Sequence, residues 1–343
     1  MSVGCIQQAL ADWQHGKSLS RSQAFEVLCA LTASDVPAAL SAGALVALNM
    51  KGVSPPELQG FADGMRHLAH KPNISTGRPI VDIVGTGGDS AHSFNLSTGA
   101  ALLSAASGLP IVKHGNRAVS SRSGSADVLR ELGLAMPMTE AAVSQCFESH
   151  SFAFLFAPNY HPAMKTVAPI RQALGIRTVF NLLGPLTNPA SPPYMVLGAY
   201  SAEVAELMAA ALMGMPITRA FVIHSHNHWD EPTPAAPFTV WDVTQHSITT
   251  QIRSSAEYGL SSCTEADLKG GDASFNANAL MSVLDGFDQG AHRRAILLGA
   301  ALALEVSGVE PDPIRAVSKL SEVIDHGHAG QWVRRLGNTS HTL

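Results

Sequence analysis

From about residue 78 onward the sequence alternates short apolar runs with helical stretches, and this alternation constrains the fold more than any other feature. Ile80-Val81-Asp82-Ile83-Val84 is a buried-strand pattern that runs straight into Gly85-Thr86-Gly87-Gly88-Asp89. Residues 97–107 read as a small-residue helix, Leu109 to Val112 as the next strand, and Ser125 to Leu132 as another helix. Phe152 to Phe156, Tyr194 to Ala199 and Ala220 to His224 are further strands, separated by helical stretches, and residues 276–288, 292–306 and 312–325 are helical. Strands that return through helices pair in parallel. The pattern therefore predicts an α/β fold, a mainly parallel sheet flanked by helices.

The N-terminal part has a different texture. Residues 2–14, 21–32, 36–51 and 55–70 carry apolar side chains at helical spacing, as in Phe25, Leu28, Cys29 and Leu31. Ser54-Pro55-Pro56-Glu57 reads as an N-cap followed by proline at a helix start. Lys71 to Pro79 is a polar linker. The expected organisation is a small all-helical domain over residues 1–70 and an α/β domain over 78–343. A length of 343 residues suits two domains.

Composition narrows the function. The formal net charge is −5, so the chain has no global basic field with which to hold nucleic acid or an anionic membrane. Cys5, Cys29, Cys146 and Cys263 are far apart and form no CxxC pair, which argues against a disulfide framework or a cysteine zinc site. The longest low-charge apolar stretch, Ala295 to Leu304, is too short to span a bilayer. The first residues lack a basic-then-apolar signal layout. A soluble cytoplasmic protein is expected.

Four segments carry chemistry. Gly85-Thr86-Gly87-Gly88-Asp89 lets backbone N–H groups approach an anion closely. It is no dinucleotide fingerprint, because Ser90 stands where GxGxxG needs glycine, and Gly16-Lys17-Ser18 is no Walker A motif, because Ala11 replaces its first glycine. Asn95-Leu96-Ser97-Thr98 opens a helix; its hydroxyls are ordinary caps, yet a serine can also ligate Mg²⁺. Lys113-His114-Gly115-Asn116-Arg117 and Ser120-Ser121-Arg122-Ser123-Gly124-Ser125 follow a strand and gather cations, hydroxyls and glycines into a phosphate cradle. Asp230-Glu231, after the strand that ends at His224, suits Mg²⁺ shared with substrate phosphates. Together they suggest a sugar diphosphate with Mg²⁺.

Asp82 to Asp89, Lys113 to Arg117, Tyr160-His161-Pro162-Ala163-Met164-Lys165 and Arg177 to Pro189 also resemble the anthranilate phosphoribosyltransferase family over about residues 20 to 335. The resemblance implies a homodimer whose active site lies between a helical and an α/β domain, with the helical domain completed by a mid-chain insertion at about 165–190. It implies that Gly85, Gly88, Asp89, Ser93, Asn95, Ser97, Thr98, Lys113 to Ser121 (Gly115, Asn116, Arg117 and Ser120 among them) and Ser125 hold phosphoribosyl pyrophosphate. Ser97, Asp230 and Glu231 would position two Mg²⁺ ions. Gly85, Asn116, Arg171 and Gly184 would face anthranilate, and a guanidinium at 171 matches the carboxylate of that acid. Lys113, Asp230 and Glu231 are the implied catalytic groups, and the implied reaction is transfer of phosphoribose to the anthranilate amine in tryptophan biosynthesis.

One segment departs from the family pattern. In His224-Ser225-His226-Asn227-His228-Trp229-Asp230-Glu231-Pro232, His228 stands in place of a glycine and Trp229 is bulky. A Trp229 that reached the cleft would change the acceptor. On a continuing strand, residues 224, 226, 228 and 230 would share one face and could bind Zn²⁺ as in a metallohydrolase. Asn227 and Pro232 favour a turn instead.

Overall fold

The computed structural model of the chain describes residues 2–74, 77–88, 93–117 and 122–341. Helices α1 (Ser2–Gln14), α2 (Arg21–Leu31), α3 (Ala38–Lys51) and α4 (Pro55–Leu68) come first. Strand β1 (Val81–Gly85), helix α5 (Leu96–Ala106), strand β2 (Ile111–Gly115), helices α6 (Ser125–Glu131) and α7 (Glu140–His150) and strand β3 (Phe152–Phe156) follow. The short α8 (Ala157–Tyr160), α9 (Met164–Leu174) and α10 (Phe180–Leu186) lead to β4 (Tyr194–Gly198), α11 (Ala202–Met213) and β5 (Arg219–Ser225). Strands β6 (Phe238–Thr244) and β7 (Ile248–Arg253) precede α12 (Ala273–Leu284), α13 (Ala291–Val306), α14 (Pro313–Asp325) and α15 (His328–Ser340).

The seven strands form one sheet in the order β3-β2-β1-β4-β5-β6-β7. β1 to β5 run parallel, as the alternation predicts, while β6 and β7 are antiparallel additions that it does not foresee. β7 is an edge strand with its middle four residues exposed, so its polar sequence offers no apolar run to read. β2 begins and ends later than its apolar run suggests. This moves Lys113, His114 and Gly115 out of the expected loop and into the strand.

Side chains alternate across the sheet and feed two cores. Val196, Phe221, Ile223, Phe238 and Val240 join α5 and α13 on one face. Met195, Leu197, Val222, Trp241 and Val243 join α11 and the N-terminal helices on the other. The N-terminal helices therefore share their core with the sheet.

Glu57 ties those helices together. Its carboxylate is fully buried and accepts from Trp13 Nε1 at 2.7 Å, the Leu19 N–H at 3.0 Å and Lys51 Nζ at 2.7 Å. It also closes the N-cap of α4 by accepting from the Ser54 N–H at 2.9 Å and the Ser54 hydroxyl at 2.7 Å. Burial alone would raise its pKa, but Lys51 and these donors hold it below the ordinary carboxylate range. Glu57→Ala leaves the Lys51 ammonium buried without its partner. It should cost about 3–5 kcal/mol in a denaturant-unfolding experiment, far more than an exposed Glu→Ala control.

Candidate active site

The strand order reverses between β1 and β4, and parallel α/β sheets take ligands outside the C-terminal strand ends at such a point. β1, β2 and β4 each end on glycine, and Gly85 and Gly198 are directly paired across β1 and β4. The chain that leaves β5 crosses over this pair. A Cβ at Gly198 would run into the backbone carbonyl of Asp230, and one at Gly85 into its carboxylate. The two glycines are a floor on which Asp230 lies, almost fully buried.

The acidic pair is held by the predicted anion loops. Asp230 Oδ2 accepts from the Gly87 N–H at 2.6 Å. Glu231 accepts from the Ser97 N–H at 2.9 Å through Oε1 and from the Ser93 hydroxyl at 3.1 Å through Oε2. It thus sits at the N-terminus of α5, where free N–H groups and the helix dipole favour negative charge. Lys113 is buried beneath, its Nζ donating to the Ile83 carbonyl and, at 3.4 Å, to the Ser97 hydroxyl. Burial lowers the Lys113 pKa, and the carboxylates of Asp82, Glu231 and Asp230 oppose that shift. Asp82 is fully buried, which pushes its pKa up to about 6 against the pull of Lys113 and a 2.8 Å bond from Asn188 Nδ2. Ser97, Asp230 and Glu231 bring two carboxylates and a hydroxyl to one patch, a hard-oxygen set that fits Mg²⁺ bound together with phosphates.

The histidine segment turns away from this patch. The Ser225 N–H bonds to the Trp229 carbonyl at 3.1 Å and the His228 N–H to the Ser225 carbonyl at 2.9 Å, so the strand ends in a tight turn. His228 has φ 67, the left-handed conformation that glycine adopts without penalty. His224 Nδ1 bonds to the Ala199 carbonyl and His226 Nε2 to the Thr239 hydroxyl, each at 2.9 Å. No group of three or more His, Cys, Asp or Glu side chains placed to hold a metal occurs among the described residues. The shared-face zinc arrangement therefore does not form. Trp229 is only 5% exposed and packs in the core with Phe221 and Phe238, so the expectation that it could reach the cleft is also corrected.

Asn116 and Arg117 stand exposed beyond β2. The Asn116 carbonyl accepts from the Ser125 hydroxyl at 3.3 Å and the Ala126 N–H at 3.2 Å, which fixes the loop against the start of α6. Arg117 lies 5.7 Å from the Phe156 ring centre. Gly115 has no room for a Cβ, which would meet Ser125 and Phe154. Gly88 is exposed, while Thr98 is buried on the inner side of α5. Asp89, Ser120 and Ser121 lie outside the described residues.

Arg171 and Gly184 belong to a second cluster, on α9 and α10. Arg171 packs its guanidinium 5.6 Å from the Phe180 ring centre, and its buried Nε has no hydrogen-bond partner among the described residues. Burial lowers its pKa. A donor left unsatisfied in this way is ready for an anionic ligand. Gly184 is exposed, with open space where a Cβ would stand.

Two groups that the sequence did not single out support these clusters. The Gly184 carbonyl can only accept, so His114 Nδ1 carries the proton in their 3.2 Å bond. His114 Nε2 then accepts from His161 Nε2–H at 3.2 Å. Burial drives the pKa of His114 down to about 3 and that of His161 to about 4, so both rings are neutral at pH 7. Arg177 stacks 4.2 Å from the Tyr200 ring centre and donates to the Gly88 carbonyl, joining the segment after α9 to the glycine loop. His161 and Arg177 stand inside quoted motifs, but nothing in their spacing reveals these partners.

Residues 77–330 match the glycosyl transferase family α/β domain, and residues 7–69 match the helical bundle domain of the same family. The chain is 42% identical over 332 residues to anthranilate phosphoribosyltransferase of Desulforudis audaxviator, covering 96% of this chain and 95% of that protein. The crystal structure of the Thermus thermophilus anthranilate phosphoribosyltransferase superposes with a TM-score of 0.91 at 39% identity, covering 97% of this chain and 99% of that one. The Saccharomyces cerevisiae enzyme in complex with phosphoribosyl pyrophosphate and Mg gives 0.90 at 27% identity, with 98% of each chain covered.

The glycine floor can be tested by adding one methyl group at a time. Gly198→Ala pushes the Asp230 backbone off the sheet and should lower stability by about 1–3 kcal/mol or more. Gly85→Ala displaces the carboxylate and should leave stability closer to wild type. Both should weaken magnesium-diphosphate binding, read by calorimetric titration beside thermal unfolding.

Proposed function

The chain belongs to the anthranilate phosphoribosyltransferase family of glycosyl transferases, and from that premise we propose that it moves the 5-phosphoribosyl group from phosphoribosyl pyrophosphate to the amine of anthranilate, releasing pyrophosphate, in tryptophan biosynthesis in the cytoplasm. The observation that carries this reading is the Asp230-Glu231 pair held on the glycine floor at the sheet's switch point, against the Gly87 and Ser97 N–H groups.

Each cluster then has a task. The cradle from Asn116 to Ser125 binds the donor's phosphate groups, while the Gly87 and Ser97 N–H groups and the Ser93 hydroxyl hold Asp230 and Glu231 beside them. Asp89, Ser120 and Ser121 belong to the same proposed set. Ser97, Asp230 and Glu231 would hold two Mg²⁺ ions, which supply positive charge against the departing pyrophosphate. Lys113 adds a buried positive field beneath the same oxygens. Arg171 pairs with the anthranilate carboxylate, while Gly85, Asn116 and Gly184 leave room for the ring. The amine then attacks the anomeric carbon on the face opposite pyrophosphate; a C–N bond forms as the C–O bond breaks, and the nitrogen then gives its extra proton to the departing pyrophosphate or to water. An aromatic amine has its lone pair free at neutral pH, so positioning supplies much of the acceleration and no strong base is required.

Anthranilate fluorescence should decay when phosphoribosyl pyrophosphate and Mg²⁺ are added, and EDTA should stop the decay. Asp230→Asn with Glu231→Gln should slow it by about 10²–10³-fold or more. His226→Ala should be mild, since that ring bonds only Thr239 among the described residues. A folded protein that binds no donor would overturn the reading.

The active enzyme is proposed to be a homodimer joined through its N-terminal helices. A groove of about 770 Å³ lies between α1, α3 and α9, lined by Leu10, Trp13, Val46, Ala47 and Met50. Met50 is 84% exposed beside this apolar lining, so the two form one contiguous apolar patch. Met50→Glu should convert the protein to a monomer in light scattering coupled to size exclusion, with the fold retained.

A further inference from the structure

We infer that Asn276 is a positioning residue for donor binding: it holds Asn95 away from the Ser97 N–H at the N-terminus of α5 and so leaves that group to Glu231, one of the acidic pair proposed to hold the donor's Mg²⁺. The inference rests on the phosphoribosyl reading above and adds to it a residue from the far end of the chain.

Asn276 lies in the first turn of α12 and is 1% exposed. Its Nδ2 donates to Asn95 Oδ1 at 2.7 Å and its Oδ1 accepts from the Gly271 N–H at 2.8 Å. A backbone N–H can only donate, so the orientation of the Asn276 amide is fixed. Asn95 is fixed in the same way. Its Nδ2 donates to the Ser123 carbonyl at 3.3 Å, and the Ser123 hydroxyl reaches its Oδ1 at 3.4 Å. Gly271, Asn276, Asn95 and Ser123 thus form one hydrogen-bonded chain across three segments, two of which border the donor loops.

Asparagine immediately before a helix ordinarily turns its side-chain oxygen back onto the N–H groups of the first turn. Asn95 occupies that position before α5 and makes no such bond. Its oxygen is spent on Asn276 and Ser123. The Ser97 N–H is therefore left to the carboxylate of Glu231, which stays docked on the helix end. The backbone around Asn95 is braced from the same side. Ser93 pairs antiparallel with Lys269, the Phe94 N–H bonds to the Leu268 carbonyl at 3.0 Å, and Gly270 lies so close to the Ser93 carbonyl that no Cβ would fit. Freed from Asn276, the Asn95 oxygen could rotate onto the Ser97 N–H and compete with the acidic pair.

The test is calorimetric titration with phosphoribosyl pyrophosphate and Mg²⁺, with thermal unfolding and steady-state kinetics alongside. Asn276→Asp keeps the acceptor for the Gly271 N–H and removes the donor to Asn95; Asn276→Ala removes both without adding charge. Each should weaken donor binding about tenfold, the size expected for losing one buried hydrogen bond. The unfolding temperature should fall, because buried hydrogen bonds are lost, but the KM for anthranilate should stay near wild type, a selective loss that a merely structural role would not give. In an Asn95→Ala background either change should have little further effect on donor binding, because Asn276 acts through Asn95. Donor binding that is unaltered in both variants, or losses that multiply with Asn95→Ala, would overturn the role of Asn276 alone. Wild-type protein that binds no donor would overturn the phosphoribosyl reading itself.

Discussion

The site depends on two missing side chains. Gly85 and Gly198 end neighbouring parallel strands and are paired across them, and Asp230 occupies the space their Cβ atoms would take, with its backbone over Gly198 and its carboxylate over Gly85. Everything acidic in the site is aimed from that contact. With the Asp230 backbone on the sheet, its carboxylate reaches the glycine loop and Glu231 reaches the end of α5. A glycine floor fixes position by sterics and needs no bond of its own, so the carboxylate oxygens keep their lone pairs for donors and cations.

Charge is layered around this contact. Above the strand ends lie backbone N–H groups and carboxylates. Below them the Lys113 ammonium is buried between Asp82 on one side and the acidic pair on the other. An isolated buried ammonium would be very costly, and a cluster of carboxylates would repel itself. Each offsets the other, and the surplus negative charge sits at the surface of the site, where a cation can meet it. In the α9–α10 cluster proposed for the acceptor the chemistry differs. Neutral imidazoles, a glycine and one incompletely satisfied guanidinium make a less charged environment that suits an aromatic acid.

Much of this was legible because it is local. A strand that ends in glycine and runs into a helix announces an anion loop within a dozen residues, and the acidic pair stands adjacent in sequence. The features that stayed hidden are set by long-range geometry. Lys113 reads as a loop cation until the register of β2 places it under the sheet. Trp229 could face either way until the turn from Ser225 to Trp229 directs it into the core. Asn276 is a polar residue on a helix, and only a contact spanning 181 residues reveals its use. Helix α15 has a weak helical signal because it carries Gly330 and Gly337; both sit where a Cβ would press on neighbours, against Asp285 and Gly133.

The sharing of one sheet between two cores has a consequence for the order in which the molecule can be made. The N-terminal helices leave the ribosome ahead of the sheet, yet their apolar core includes Met195, Leu197, Val222, Trp241 and Val243. Those residues emerge only after β1, β2 and β3 have been synthesised. The four helices must wait, partly uncovered, while the middle of the chain is assembled. Closure of their core and completion of the central sheet are then coupled, so the helices and the sheet come together as one body rather than by docking two finished ones.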